Sequence, residues 1–453
     1  MRPRVERAGD TVDLSTAGGR VAPESARTGA GARSWLPFDV AVLAVAALHA
    51  VVFAPVVLSA LFRPRMVVPN LWLGHAAMIT ETFRDPLSPN QPHFGWHLAG
   101  RAVGVALPGD DPRIAAAIVS IVAAAGLGAA LFWVFRHADD GTELLSPWAA
   151  AGVSVSIALM ESPAALQGWE ALLNPGTRFV PLYYWFVPTA PAAMGLNVVL
   201  VWMCAQLARG RLTVRSRTLL PLIVVATAII KPTLVPALAL VAPACIVLVR
   251  RTSLGSVGAV RGSVADAIRL VTVPAVLILI LQSTIAMWFS PADRRGGVEL
   301  RPLWELGEMG GFGWQFWLVL LVPAVALVLL RRRLLDDDAV LLCLGLFAVG
   351  LVATLLFARS GPTIYKGANG GDILQLAAAG ATVLVIFSIR RVVVLARGGS
   401  LSRGVSVVLA LALVPYLVAG VLTYRCQSGL AACYPAELAP SWPQPAADER
   451  TGG

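Results

Sequence analysis

Lysine is almost missing from this chain. Only Lys231 and Lys366 occur in 453 residues, and the remaining 34 of the 36 basic residues are arginine. Charge of either sign is scarce: 14% of residues are Asp, Glu, Lys or Arg, where a soluble protein has about a quarter. That scarcity excludes an ordinary soluble domain. Cysteine is equally sparse, with five in all. Cys204, Cys245 and Cys343 lie in apolar runs and read as plain buried thiols, which excludes a disulfide scaffold. Histidine also numbers five, which leaves few ligands for a metal. The first 36 residues lack an apolar h-region, so no cleavable signal peptide is expected there. No internal repeat is visible.

What remains is apolar. Hydrophobic residues make up 57% of the chain, arranged in repeated runs of roughly 18 to 25 residues, enough to cross a hydrocarbon core. The fold class is all-α: a polytopic helical membrane protein. Spans are expected at 38–62, 113–135, 147–165, 187–208, 219–249, 267–289, 315–330, 339–357, 373–389 and 404–424. The run 219–249 is too long for one crossing, since a single helix would measure about 46 Å. Pro232 and Pro236 break it, and arginines flank both ends, so a hairpin of two short helices turning near Lys231 fits better. About 10–11 transmembrane helices result, with outward-facing interfacial loops.

The net charge of +10 comes from arginines in short loops. It sets topology and is no nucleic-acid footprint. By the positive-inside rule the N-terminus, Arg136, 209–217, 250–262, Arg331–Arg333 and Arg390–Arg391 are cytoplasmic, and the C-terminus is extracytoplasmic. Ala- and Arg-rich usage suggests a high-GC bacterium and its plasma membrane. The organisation is then a disordered tail over 1–36, a transmembrane domain over 37–425 and an extracytoplasmic tail over 426–453. Cys426 and Cys433 flank a polar turn on the oxidising side, where a local disulfide is expected.

The segments expected outside carry the chemistry-bearing residues. HAAMITETFRDPLSPNQPHFGWHLAGR places His75, Glu81 and Asp85 before a proline cluster, and His93, His97 and Arg101 after it. The four-residue spacing puts the last three on one helix face. HFGWH lacks the Glu that a zinc protease needs after its first His. The plain alternative is an interfacial helix with Trp96 and the histidines at headgroup level. Asn174 and Arg178 precede an aromatic cluster, Tyr183–Trp185, which suits stacking on a sugar ring or a simple interfacial belt. Lys231 sits in an apolar hairpin, where an ionisable group is costly and usually functional; the alternative is snorkelling to headgroups. ARSGPTIYKGANGGDILQL supplies Arg359, Lys366, Asn369 and Asp372, the last also a candidate helix N-cap.

Together PHFGWH, NPGTRF, IIKPT and KGANGGD, on a many-helix frame with a long first outer loop, resemble the GT-C superfamily of membrane glycosyltransferases, in its uncharacterised bacterial multi-span branch. The resemblance implies a polyprenyl-phosphate-linked sugar as donor and a cell-envelope glycan or glycolipid as acceptor, with membrane lipids as surroundings. It implies Glu81 or Asp85 as general base, with inversion at the anomeric carbon. Lys231, Arg359 or Lys366 would hold the phosphate, and His75, His93, His97, Asn174, Arg178, Asn369 and Asp372 would contribute to substrate binding. No cofactor is required, although a divalent metal is compatible with the chemistry. Such enzymes usually carry an acid just after the first span, whereas FRPRMVVPNLWLGH offers His75 there. Two other readings stay open: a transporter or flippase of a lipid-linked or hydrophobic solute, built around the broken helix, and a non-catalytic membrane subunit.

Overall fold

The computed structural model describes residues 40–62, 72–73, 75–79, 95–107, 111–167, 188–252, 257–289, 297–300, 317–360 and 371–428. The tail expected over 1–36 and the end beyond 428 lie outside these residues. Contacts group the chain from Val40 onward as one unit.

The helices are α1 (Val40–Phe62), α2 (Gly95–Ala106), α3 (Pro112–Arg136), α4 (Pro147–Leu159), α5 (Ala190–Ala208), α6 (Val214–Ile230), α7 (Val235–Thr252), α8 (Val257–Ala267), α9 (Val273–Phe289), α10 (Leu321–Leu330), α11 (Asp338–Leu356), α12 (Gly371–Arg397) and α13 (Arg403–Gln427). Among the described residues seven helices are long and apolar enough to cross a membrane, and three shorter apolar ones accompany them. The chain is a multi-pass, all-α membrane protein.

The helix starts follow local chemistry. Asp111, Ser146, Thr213, Asp337 and Ser402 each accept a backbone N–H at the start of the helix that follows. Such a cap satisfies a donor that has no partner within the helix itself. Pro112 and Pro147 follow two of these caps, at the position where proline loses no hydrogen bond.

The hairpin expected in 219–249 is present. Pro232 disfavours helical backbone at the residue before it, and Lys231 is extended at φ −167° and ψ 111°. α6 ends there and α7 begins at Val235. α7 then returns alongside α5 and α11, bringing Cys245 near Cys204 and Asp338. α8 and α9 form one continuous rod through a π-turn at Ile268–Thr272. Pro274 lies just beyond it, and widening the turn relieves the clash its ring would make with the preceding turn.

Three expectations need correction. The span drawn over 147–165 stops at Leu159 and gives way to an extended Met160 and a 3₁₀ turn at Pro163–Gln167. The span drawn over 373–389 runs on to Arg397, so Arg390 and Arg391 belong to a helix and not to a loop. A short antiparallel ladder joins β1 (Gly297–Leu300) to β2 (Phe357–Ser360), pairing Gly297 with Ser360 and Leu300 with Phe357. Four-residue strands carry too little pattern to be read from sequence.

Small residues let the helices meet closely, as helix packing in lipid requires. α11 and α12 touch backbone to backbone: a Cβ at Gly350 would stand 2.8 Å from the Leu376 carbonyl, and one at Gly380 would stand 2.8 Å from Phe347 Cα.

Candidate functional site

The end of the bundle at which α1 finishes holds a buried polar cluster. Residues 75–79 form a short helical segment, and α2 begins at Gly95. Trp72, Ala76, Ile79 and Trp96 pack with Ala60 and Leu61 of α1 and Ala116 and Ala117 of α3. This apolar bed fixes His75 and His97, which are 6% and 1% exposed. Gly95 brings α2 onto the end of α6: a Cβ there would sit 2.6 Å from Ile229 Cγ2. The contact sets His97 beside the helix break at Lys231, itself 5% exposed.

The two imidazoles are linked directly. His75 Nδ1 lies 3.0 Å from His97 Nε2, and the rings are within 13° of parallel. One nitrogen donates the shared proton and the other accepts it. Trp96 stands edge-on to both rings. Its indole N–H is buried and has no acceptor among the described residues. Burial, then His97, then the Lys231 ammonium push the His75 pKa down to about 3. His75 is therefore neutral at physiological pH. It can pass on or hold a hydrogen bond but is a poor general base, because a base of pKa near 3 has little affinity for a proton at neutral pH.

The arrangement concentrates donors: an ammonium, an indole N–H and at least one imidazole N–H. Such a set suits an anion or a hydroxyl-rich ligand. Among the described residues no group of three or more His, Cys, Asp or Glu is placed to hold a metal.

Of the residues singled out by sequence, His75, His97 and Lys231 come together here. His97 pairs with His75, 22 residues earlier. Trp96 is 2% exposed and packed in the core. Glu81, Asp85, His93, Asn174, Arg178, Lys366, Asn369 and Cys433 lie outside the described residues. Arg359 falls on β2 and Asp372 in the first turn of α12. Asp372 is inside that helix and is not its cap. Its side chain and that of Arg359 are outside the described part. Cys426 is disulfide-bonded, and Cys204, Cys245 and Cys343 are free and buried.

Sequence reasoning missed a second polar assembly, where α3 ends. Asp139 binds Arg209 directly and Arg390 at 2.8 Å; Arg209 reaches Asp338 at 2.6 Å and Asp337 at 3.7 Å. Arg391 completes the set at 3.9 Å from Asp337. Arg390, 1% exposed, also donates to the Val134 and His137 carbonyls at 3.0 and 3.1 Å. Burial alone would raise the Asp139 pKa, but Arg390 and Arg209 outweigh it and hold the carboxyl below its ordinary value. These arginines were read as topology signals; the available hint was Asp139 and Asp337–Asp338 beside them in short loops.

No protein-family model matches this chain, and no curated protein or solved structure shows significant similarity to it.

Proposed function

We propose that the chain is a glycosyltransferase-like membrane protein that takes its sugar from a polyprenyl phosphate in a bacterial plasma membrane. The observation that carries this reading is the buried donor cluster of Lys231, Trp96 and the His75–His97 pair at one end of the bundle. An anion that reaches a site sunk among membrane helices is most simply the phosphate of a lipid. In this reading the cluster faces the extracytoplasmic side, with the N-terminus cytoplasmic and the C-terminus outside.

The chemistry follows from charge. The acceptor hydroxyl attacks the anomeric carbon as the bond from that carbon to the phosphate oxygen breaks. Negative charge grows on the departing lipid phosphate, where the Lys231 ammonium and the neighbouring N–H donors stabilise it. The hydroxyl proton needs an unprotonated base within reach, and in this reading Glu81 or Asp85 takes that role, as the resemblance implies. Attack from the face opposite the phosphate inverts the anomeric centre.

Sugar transfer from lipid-linked donors by the purified chain tests the reading. Lys231→Met is expected to lower the rate about a hundredfold, the usual scale for losing one charge-stabilising donor. Replacing both Glu81 and Asp85 by their amides is expected to abolish transfer. Full activity in the doubly substituted chain would exclude those carboxylates as bases. Absence of any transfer, with movement of a lipid-linked solute across sealed vesicles, would favour a flippase built on the broken helix.

A further inference from the structure

The end of the bundle where α3 finishes also carries exposed charge. Several arginines there are paired: Arg136 with Glu143, Arg209 and Arg390 with Asp139, and Arg217 with Asp266. Arg331 and Arg332, where α10 ends, and Arg403, where α13 begins, are exposed. Among the described residues their guanidinium groups make no hydrogen bond or ion pair. The linker after α10 also holds one exposed carboxylate, Asp336, so cations outnumber anions on this rim.

The two helix ends are held side by side. The Arg333 guanidinium donates to the Ser400 carbonyl at 2.9 Å, and Arg391 donates to the Arg333 carbonyl at 2.9 Å. Further along the pair, the Tyr416 hydroxyl donates to the Val319 carbonyl at 2.7 Å and accepts the Val322 N–H at 3.2 Å. Backbone strain marks the same rim. Gly399, in the turn between α12 and α13, has φ 65°, which glycine adopts freely. Arg331 has φ 47° and ψ −120°, and among the described residues it is the only non-glycine with positive φ. The turn favours glycine, so what arginine adds at this position is its charge.

Apolar surface continues from the cations along both helices. Arg403, Val407, Leu411 and Val414 are spaced to share one face of α13, and the three apolar residues are exposed. Val328, three residues before Arg331 on α10, is exposed as well. We infer that this strip binds an anionic phospholipid. Arg331, Arg332 and Arg403 hold its phosphodiester, and its acyl chains lie along Val328, Val407 and Leu411. Planar guanidinium groups match phosphate oxygens with paired N–H donors. Because these three are unpaired, the lipid displaces no ion pair on arrival. A zwitterionic lipid brings its own cation beside the phosphate and is attracted less. The strip is remote from the histidine cluster, and the inference does not rest on the function proposed above.

The test is native mass spectrometry of the full chain with phosphatidylglycerol and phosphatidylcholine as probes. The wild-type chain is expected to retain phosphatidylglycerol about tenfold more, a modest fraction of what three interfacial arginines supply. Arg331→Gly and Arg403→Gln should each lower that preference by about fivefold, the scale of one arginine near a charged membrane surface. Arg331→Gly also relaxes the turn, so its melting temperature should hold or rise while lipid preference falls. Arg261→Gln, an exposed arginine on α8 away from the strip, should leave the preference unchanged. Equal retention of both lipids by the wild-type chain would overturn the inference without any variant. So would an unchanged preference in folded Arg331→Gly and Arg403→Gln, or an equal drop in Arg261→Gln, which would assign the effect to overall charge. Should either strip variant fail to fold, the other and the wild-type preference decide.

Discussion

The two ends of this bundle handle buried polarity in opposite ways. Where α3 ends, three arginines and three aspartates neutralise one another within a few ångströms, and the backbone carbonyls of Val134 and His137 take remaining donors. Where α1 ends, two imidazoles share one proton beside a lysine and an indole N–H. The first arrangement ties the ends of α3, α5, α11 and α12 together. The second presents donors around a neutral pair, which favours an incoming acceptor. A closed lattice stabilises, whereas a donor-rich cluster around a neutral pair can direct interaction energy to a ligand.

The largest expected effect breaks that contrast at its structural end. Asp139→Asn removes the carboxylate between Arg209 and Arg390. Arg209 keeps Asp338, but Arg390 is left with backbone carbonyls alone. Deleting one partner of a buried pair costs about 3 kcal/mol or more. Unfolding of the detergent-solubilised chain should show a loss of that size. Lys231→Met should shift the same measurement by less than about 1 kcal/mol, because an apolar side chain sits well in that environment. Equal losses in both variants would mean that the Lys231 end is structural too.

Titration separates the ends next. The folded His75 pKa, near 3, lies below the ordinary histidine value of 6.5. The unfolded chain therefore binds the extra proton between pH 6.5 and 3, and stability falls as pH drops through that window, by at most about 1.4 kcal/mol per pH unit. Asp139 behaves differently. Its folded pKa is held below 3.8, so its contribution is intact above 3.8 and is lost only as pH falls through the folded value. Between pH 6 and 4.5, roughly the upper part of the histidine window, the lattice should hold while the histidine end weakens. Melting temperatures over that range should decline in the wild-type chain and in Asp139→Asn, and decline less steeply in His75→Asn. Parallel slopes in all three would remove His75 as the titrating group.

Much of the frame was legible because membrane spans are long and apolar, so composition alone marks them. The hairpin at Lys231 was readable for a second reason: Pro232 and the arginines at both ends leave one arrangement that fits. The stop after Leu159 had a local mark in Glu161, Ser162 and Pro163 just beyond it, and contact with Gly420 and Tyr416 of α13 completes it. The site was half legible. Lys231 stood out as a lysine in an apolar run, and His97 by its helix. That His75 would be its partner depends on the packing of segments 22 residues apart, which no local spacing encodes. Arg390 looked like a topology signal because a buried ion pair and a loop arginine look alike until Asp139 is placed beside it.

The smallest expected effect isolates burial itself. Arg217 and Asp266 pair at 3.0 Å with side chains 43% and 31% exposed, while Arg390 and Asp139 pair at 2.8 Å with side chains 1% and 22% exposed. The distances are nearly equal, and Arg217 lies in the first turn of α6, not far along the chain from Arg209. Only the surroundings differ. Water and salt screen the exposed pair, and holding two long side chains in one geometry costs entropy, so Arg217→Gln should lower stability by about 0.5 kcal/mol or less. Added salt should erase even that, while leaving the loss in Asp139→Asn largely intact. A loss in Arg217→Gln approaching that of Asp139→Asn would mean that charge proximity, and not enclosure by the helix ends, sets the strength of these pairs.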